Sequence, residues 1–168
     1  MLKHLSVKNY ALIDSLELDL HDGFSAITGE TGAGKSIILG ALAHILGRRA
    51  DLKSLRDNTR KCVIEGTFQL NEGRYASFFE DHDLDFDEQT LIRREITPKG
   101  KSRAFINDTP VTLNVLNALA VYLIDVHSQH QNLLLTSRDF QLDLLDSFAN
   151  NAKEREQFSK EYHTYRDL

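Results

Sequence analysis

Eight consecutive residues, Gly29, Glu30, Thr31, Gly32, Ala33, Gly34, Lys35 and Ser36, satisfy the pattern G-x-x-x-x-G-K-[ST] in full. The pattern is a phosphate-binding loop, and its chemistry follows from the residue types. Glycines let the main chain wrap closely around a phosphate. Amides from Gly32 through Ile37 then converge on the β-phosphate oxygens, helped by the positive end of the helix that follows. Lys35 adds a point charge between the β- and γ-phosphates, and the Ser36 hydroxyl stands where it ligates Mg2+. A dinucleotide-binding loop is the competing reading of a glycine-rich turn. Here Ile37 occupies the position of the third glycine, which excludes it.

Such a loop works only between a strand and a helix, and the flanking residues supply both. Residues 24–28, Phe-Ser-Ala-Ile-Thr, read as a short buried strand entering the loop. Beyond it, Ile37, Ile38, Ala41, Leu42, Ile45 and Leu46 recur at helical spacing, and Gly47 stands where a helix ends. Upstream, Leu5 with Val7, and Leu16 with Leu18 and Leu20, alternate with polar neighbours as two half-buried strands. Downstream, residues 62–68, 90–96 and 103–106 have strand composition. The turn Thr97-Pro98-Lys99-Gly100 joins the last two into a hairpin with a basic tip. Thr112 caps a short helix carrying Leu113, Leu116, Leu119 and Ala120, and residues 121–124, Val-Tyr-Leu-Ile, read as a hydrophobic strand. From the capping box at Thr136 onward no proline or glycine intervenes, which predicts one long helix whose thin apolar stripe needs a partner helix.

The chain has 168 residues, 41% hydrophobic and 27% charged, enough for one folded domain with its own core. A single cysteine, Cys62, excludes an internal disulfide and fits a reducing, cytoplasmic setting. No apolar run approaches the ~20 residues of a membrane span. The net charge of −5 argues against a surface that is basic throughout. The charges are nonetheless segregated, with acids at Glu80, Asp81, Asp83, Asp85, Asp87 and Glu88 followed by bases at Arg93, Arg94, Lys99, Lys101 and Arg103. Those bases are candidates for DNA phosphate contacts or form a solvated hairpin face, and strand alternation places Arg93 and Arg94 on opposite sides. A calcium loop starting at Asp83 fails because its glycine slot holds Glu88. His127 and His130 lack an identifiable third metal ligand.

Hydrolysis needs more than a phosphate loop. One reading makes Asp125, at the end of the apolar residues 121–124, the acidic Mg2+ organiser of a self-contained P-loop kinase or nucleotidase. Another makes the chain an assembly module whose nucleotide site is vestigial.

Asn9-Tyr10-Ala11-Leu12-Ile13, the loop from Gly29 to Ile37, and Gly47-Arg48-Arg49-Ala50-Asp51 together resemble the RecN family of bacterial DNA-repair ATPases, relatives of SMC proteins. The likeness continues through Arg93-Arg94-Glu95-Ile96, Ser102-Arg103-Ala104-Phe105-Ile106-Asn107, Asp125-Val126-His127-Ser128-Gln129-His130 and Gln141-Leu142-Asp143-Leu144-Leu145-Asp146. The resemblance implies an α/β fold, a P-loop NTPase of the ABC-ATPase head type. Its N-terminal lobe, a mixed sheet with an antiparallel β subdomain, would span residues 1–138, and a long C-terminal helix beginning a coiled-coil arm would span 139–168. It implies ATP and Mg2+ as ligands, with Gln129 as the Q-loop glutamine that touches Mg2+ and the attacking water. Ser128 departs from the glycine expected before it. The resemblance also implies a second head lobe carrying the signature and Walker B motifs, head-to-head homodimerisation, and action on DNA double-strand breaks at the nucleoid. Among the arginines between 48 and 60, the resemblance makes Arg56 the candidate for a loop that, in SMC-type heads, approaches the nucleotide phosphates or the DNA.

Overall fold

A computed structural model describes residues 1–28, 34–51 and 54–124, together with residues 141, 142, 145, 148, 149, 151, 157, 158, 161, 162, 164 and 165. The chain divides into two compact units, Met1–Asp125 and Val126–Leu168. The first is built on six strands: β1 (Leu2–Tyr10), β2 (Ile13–Asp19), β3 (Cys62–Gln69), β4 (Gln89–Ile96), β5 (Ser102–Ile106) and β6 (Thr109–Val111). They form one sheet in the order β2-β1-β3-β4-β5-β6, and every pairing is antiparallel.

Alternation assigns each strand a core face. Leu5 and Val7 of β1, Cys62, Ile64 and Phe68 of β3, Ile92 and Ile96 of β4, and Ala104 and Ile106 of β5 are all buried. Helices α1 (Lys35–Ile45) and α3 (Leu113–Leu123) supply Ala41, Ile45, Leu116 and Leu119 to the same core. Between β3 and β4, α2 (Glu72–Asp81) buries Tyr75 and Phe79, and its Asn71 cap accepts a hydrogen bond from the Gly73 amide at 3.0 Å. Burial pushes the Cys62 thiol up to about 11, so it packs as a small apolar group at neutral pH.

The opposite face is a lattice of exposed and half-exposed ion pairs. Lys61 meets Glu95 at 2.9 Å, and Arg93 meets Asp108 at 3.2 Å and Glu65 at 3.9 Å. His4 lies between Asp19 (2.6 Å) and Glu17 (3.0 Å). The hydrogen bond to Asp19 leads in raising the His4 pKa above its ordinary value, and Glu17 adds to it. A raised histidine stabilises the fold fully below its unfolded pKa and loses that contribution as pH climbs through the folded one. Thermal stability should therefore fall as pH rises from about 6.5. His4→Gln should flatten that slope, with a histidine-resolved NMR titration locating the group; an unchanged slope in the variant would assign it elsewhere.

Two expected strands are not found. Residues 24–28 join no ladder among the described residues, and Phe24 is 95% exposed. The segment has strand composition but, among the described residues, no neighbour to pair with. Residues 121–123 are helical, because α3 continues to Leu123 and only Ile124 turns extended. The Thr112 hydroxyl caps α3 as expected, accepting from the Val115 amide at 3.4 Å. A short apolar run fits a buried helix as well as a strand, and no breaker separates Ala120 from Val121. The reading that set Asp125 at the end of an apolar strand thereby loses its strand, and Asp125 lies outside the described residues. In the second unit the described residues are helical on both sides of Asn151, which is not itself helical.

Candidate functional site

Helix α1 begins one residue after Gly34, which sits at φ +97°, ψ −10°, a left-handed conformation that glycine adopts without strain. The Gly34 carbonyl accepts from the amides of Ile37 and Ile38, both at 3.0 Å. Ile37, expected among the donors to phosphate, thus commits its N–H to the first turn of the helix. Helical geometry gives the amides ahead of it no intrahelical acceptor. No side chain caps this end and the first turn holds no acidic residue, so the positive end of the helix dipole faces no carboxylate of its own turn. Ser36 is exposed on that turn and presents a hard oxygen donor suited to Mg2+. Lys35 is the first residue of the helix. Gly29, Glu30, Thr31, Gly32, Ala33 and Gln129 lie outside the described residues.

The rest of α1 meets the sheet closely at two places. A Cβ on Gly40 would stand 2.6 Å from the Tyr10 hydroxyl, and one on Gly66 of β3 would stand 2.6 Å from Cδ1 of Ile45. Both glycines admit a close approach of helix to sheet. At its end the helix closes with a Schellman turn. The Arg48 amide bonds to the Ala43 carbonyl at 2.9 Å and the Gly47 amide to that of His44 at 3.2 Å, with Gly47 at φ +99°.

Arg94 is 1% exposed, and its Nη2 donates to the Arg48 carbonyl at 3.5 Å, a long bond at the negative end of α1. Burial lowers its pKa, and burial leads in lowering that of His44 too, where the charge of Arg94 adds to the effect and a hydrogen bond with the Arg48 main chain opposes it. The structure therefore removes Arg94 from the basic candidates. Arg93, on the outer face, is engaged with Asp108 and Glu65 and lies 4.6 Å from the Phe105 ring centroid. The signal for Arg94 was present in its parity with Ile92 and Ile96.

Register places the remaining bases together. Cys62 pairs with Ile96 and Ile96 with Ser102, so Lys61, Lys99 and Lys101 share one end of the sheet with the 54–60 loop. At that end Arg60 pairs with Asp14 and Asp57, and Lys61 with Glu95. Lys99, Lys101 and Arg103 are exposed with no ion pair among the described residues. Arg56 is also exposed, and its Nη1 donates to the Leu12 carbonyl at 3.2 Å. The acidic run from Glu80 to Glu88 lies toward the opposite end, where Gln69 pairs with Gln89.

Residues 1–128 match the model of the RecF/RecN/SMC N-terminal domain. The chain is 43% identical over 90% of its length to the DNA repair protein RecN of Vibrio cholerae, and 37% identical over all of it to that of Haemophilus influenzae. It spans 28% and 31% of those relatives' lengths. Among solved structures, the Smc head domain of Pyrococcus furiosus, with an extended coiled coil and bound to the C-terminal domain of ScpA, superposes with a TM-score of 0.66. The match covers 99% of this chain and 46% of that one at 18% identity. A chain from work on ATP-driven dimerization and DNA-stimulated activation of SMC ATPases gives 0.59 at 19% identity, covering 88% of this chain and 98% of that one. At such identities the likeness speaks for the fold. With the family model covering three quarters of its length, the chain belongs to the RecF/RecN/SMC N-terminal domain family.

Proposed function

We propose that the chain is the ATP-binding N-terminal lobe of a RecN-like, SMC-type ATPase acting in repair of DNA double-strand breaks. The observation that carries this reading is the start of α1. A helix without a side-chain cap, entered through a left-handed Gly34 and led by Lys35 and Ser36, offers its positive end to a triphosphate. Ser36 would hold Mg2+ together with Gln129, and the ion would neutralise charge on the phosphates. Lys35 binds the β- and γ-phosphates, Gly29, Glu30, Thr31, Gly32 and Ala33 wrap them, and Gln129 orients water for attack.

A second head lobe from the remainder of the full-length protein completes the site, and two such heads close on two ATP molecules. The exposure of Phe24 (95%), Val121 (73%) and Tyr122 (55%) supports a covering lobe. Lys99, Lys101 and Arg103, exposed at one end of the sheet and without an ion pair among the described residues, support contact with DNA phosphates there. The setting is the cytoplasm, at the nucleoid. Among the described residues no helix is long and apolar enough to cross a membrane.

The test is a titration of fluorescently labelled Mg·ATP against the wild-type chain and Lys35→Ala. Charge-assisted contacts of ~1.5–3 kcal/mol translate to a roughly 10- to 100-fold weaker Kd for the variant. Superimposable curves would favour the vestigial assembly module. Hydrolysis by the chain alone should be slow, because groups from the other lobe are missing; fast turnover independent of protein concentration would refute the shared site.

A further inference from the structure

Among the described residues, the largest side chain that the core encloses completely is a charged one, Arg94. It has no ion pair there, and its Nε has no hydrogen-bond partner. Its Nη2 reaches the Arg48 carbonyl at 3.5 Å, beyond the roughly 2.9 Å of a well-formed bond. Beside it the Nδ1 of His44 is also buried without a partner. A buried cation that lacks a counter-ion costs stability, and an apolar residue of similar length would serve the core at least as well. Folding therefore does not account for the guanidinium.

Its two attachments show what it joins. On the β4 side, Arg94 pairs with Ala104, next to Arg103, which pairs with Glu95. The same ladder runs to a turn closed by the Thr97 amide on the Lys101 carbonyl at 2.8 Å, so Arg94 moves with the hairpin that carries Lys99, Lys101 and Arg103. On the other side its guanidinium meets the turn that ends α1, the helix whose first residues are Lys35 and Ser36. One side chain thus connects the basic hairpin with the helix of the phosphate loop. A contact at 3.5 Å is half made: a small approach completes it and a small retreat frees it. The end of α1 accordingly has two arrangements available, engaged and released.

We infer that Arg94 is a positioning residue that couples two ligands: DNA phosphates on the hairpin draw its guanidinium onto the turn after α1 and so favour the seating of the helix that binds nucleotide. The inference rests on the nucleotide-binding and DNA-contact readings above and adds how each site regulates the other. Linkage makes the effect mutual, so nucleotide tightens DNA binding by the same factor.

The experiment measures the Kd of fluorescently labelled Mg·ATP for the 168-residue chain, with and without a saturating short DNA duplex, in wild type and in Arg94→Met. Methionine keeps an unbranched side chain and removes the charge and its donors. In wild type the duplex is expected to lower the Kd about fivefold or more. In Arg94→Met the two Kd values should coincide, with a urea midpoint no lower than that of wild type. A merely structural arginine would shift both values together and leave their ratio intact, and an intact ratio overturns the inference. So does a wild-type chain whose Kd ignores the duplex. Arg94→Lys, which keeps the cation but not the fork of donors, is expected to lose the coupling as well, and supplies the ratio if the methionine variant does not fold. Lys35→Ala and the double variant Lys99→Ala, Lys101→Ala separate the levels. If the first binds Mg·ATP like wild type, or the second binds the duplex like wild type, the reading of that site fails. If each loses its ligand while Arg94→Met keeps the coupling, only the role of Arg94 falls.

Discussion

Phe68→Ala is expected to remove ~3–5 kcal/mol of folding free energy, measured as a lower urea midpoint with little change in slope. Phe68 is 0% exposed on the core face of β3 and pairs across the sheet with Leu2 of β1. Truncation leaves a ring-sized void among side chains on a rigid sheet that collapses little around it. Against a typical total of ~5–15 kcal/mol, the loss is a large share. Phe24→Ala is the control, with the same atoms deleted from a side chain that is 95% exposed. Its expected effect on this chain lies within ~0.5 kcal/mol. Equal losses at the two positions would mean that the 24–28 segment is packed in solution, contrary to its exposure here.

The contrast between these phenylalanines marks what the sequence makes legible. Wherever a segment's partner is local, the pattern suffices. The hairpin of β4 and β5, the cap at Thr112 and the end of α1 at Gly47 are each written in residues adjacent to the feature they create. Residues 24–28 carry a strand's composition, yet strand formation depends on a neighbour, and among the described residues there is none. Residues 121–123 fail for a different reason, since an apolar run has no period that separates helix from strand. Helix α2 is masked by the polar and acidic residues around it, although Tyr75, Phe78 and Phe79 stand at helical spacing behind an Asn71 cap.

Residue type alone also misassigned chemistry. Arg94 and Arg93 are adjacent bases in the sequence; the sheet sends one into the core beneath the end of α1 and neutralises the other on its outer face. Parity with Ile92 and Ile96 distinguished them without a structure. Asn9 offered no such signal. Its side chain bonds to the carbonyls of Asp57 and Arg60, 48 and 51 residues away, and no local pattern encodes those contacts.

Gly66→Val should produce the second large effect, and one that reaches function. A Cβ at Gly66 would stand 2.6 Å from Cδ1 of Ile45, 3.2 Å from Cε2 of Phe68 and 3.4 Å from Cδ1 of Leu2. Ile45 is the last residue of α1 and is 0% exposed, so its methyl has no solvent to move into. Overpacking of this kind costs ~1–3 kcal/mol, and the two further methyls of valine place this site at or above the upper value. The strain is relieved most readily by lifting the end of α1 from β3, because the sheet is held by ladders on both sides of β3. A helix displaced at one end carries its other end with it, so labelled Mg·ATP should bind more weakly to Gly66→Val at temperatures where the variant remains folded. The compensating change is Ile45→Val, which deletes the clashing Cδ1. Paired with Gly66→Ala, it should recover stability and affinity together, giving a coupling of ~1 kcal/mol or more between the two sites. Additive losses would mean that α1 does not bear on β3 at this point, and that the start of the helix is set by something other than its seat on the sheet.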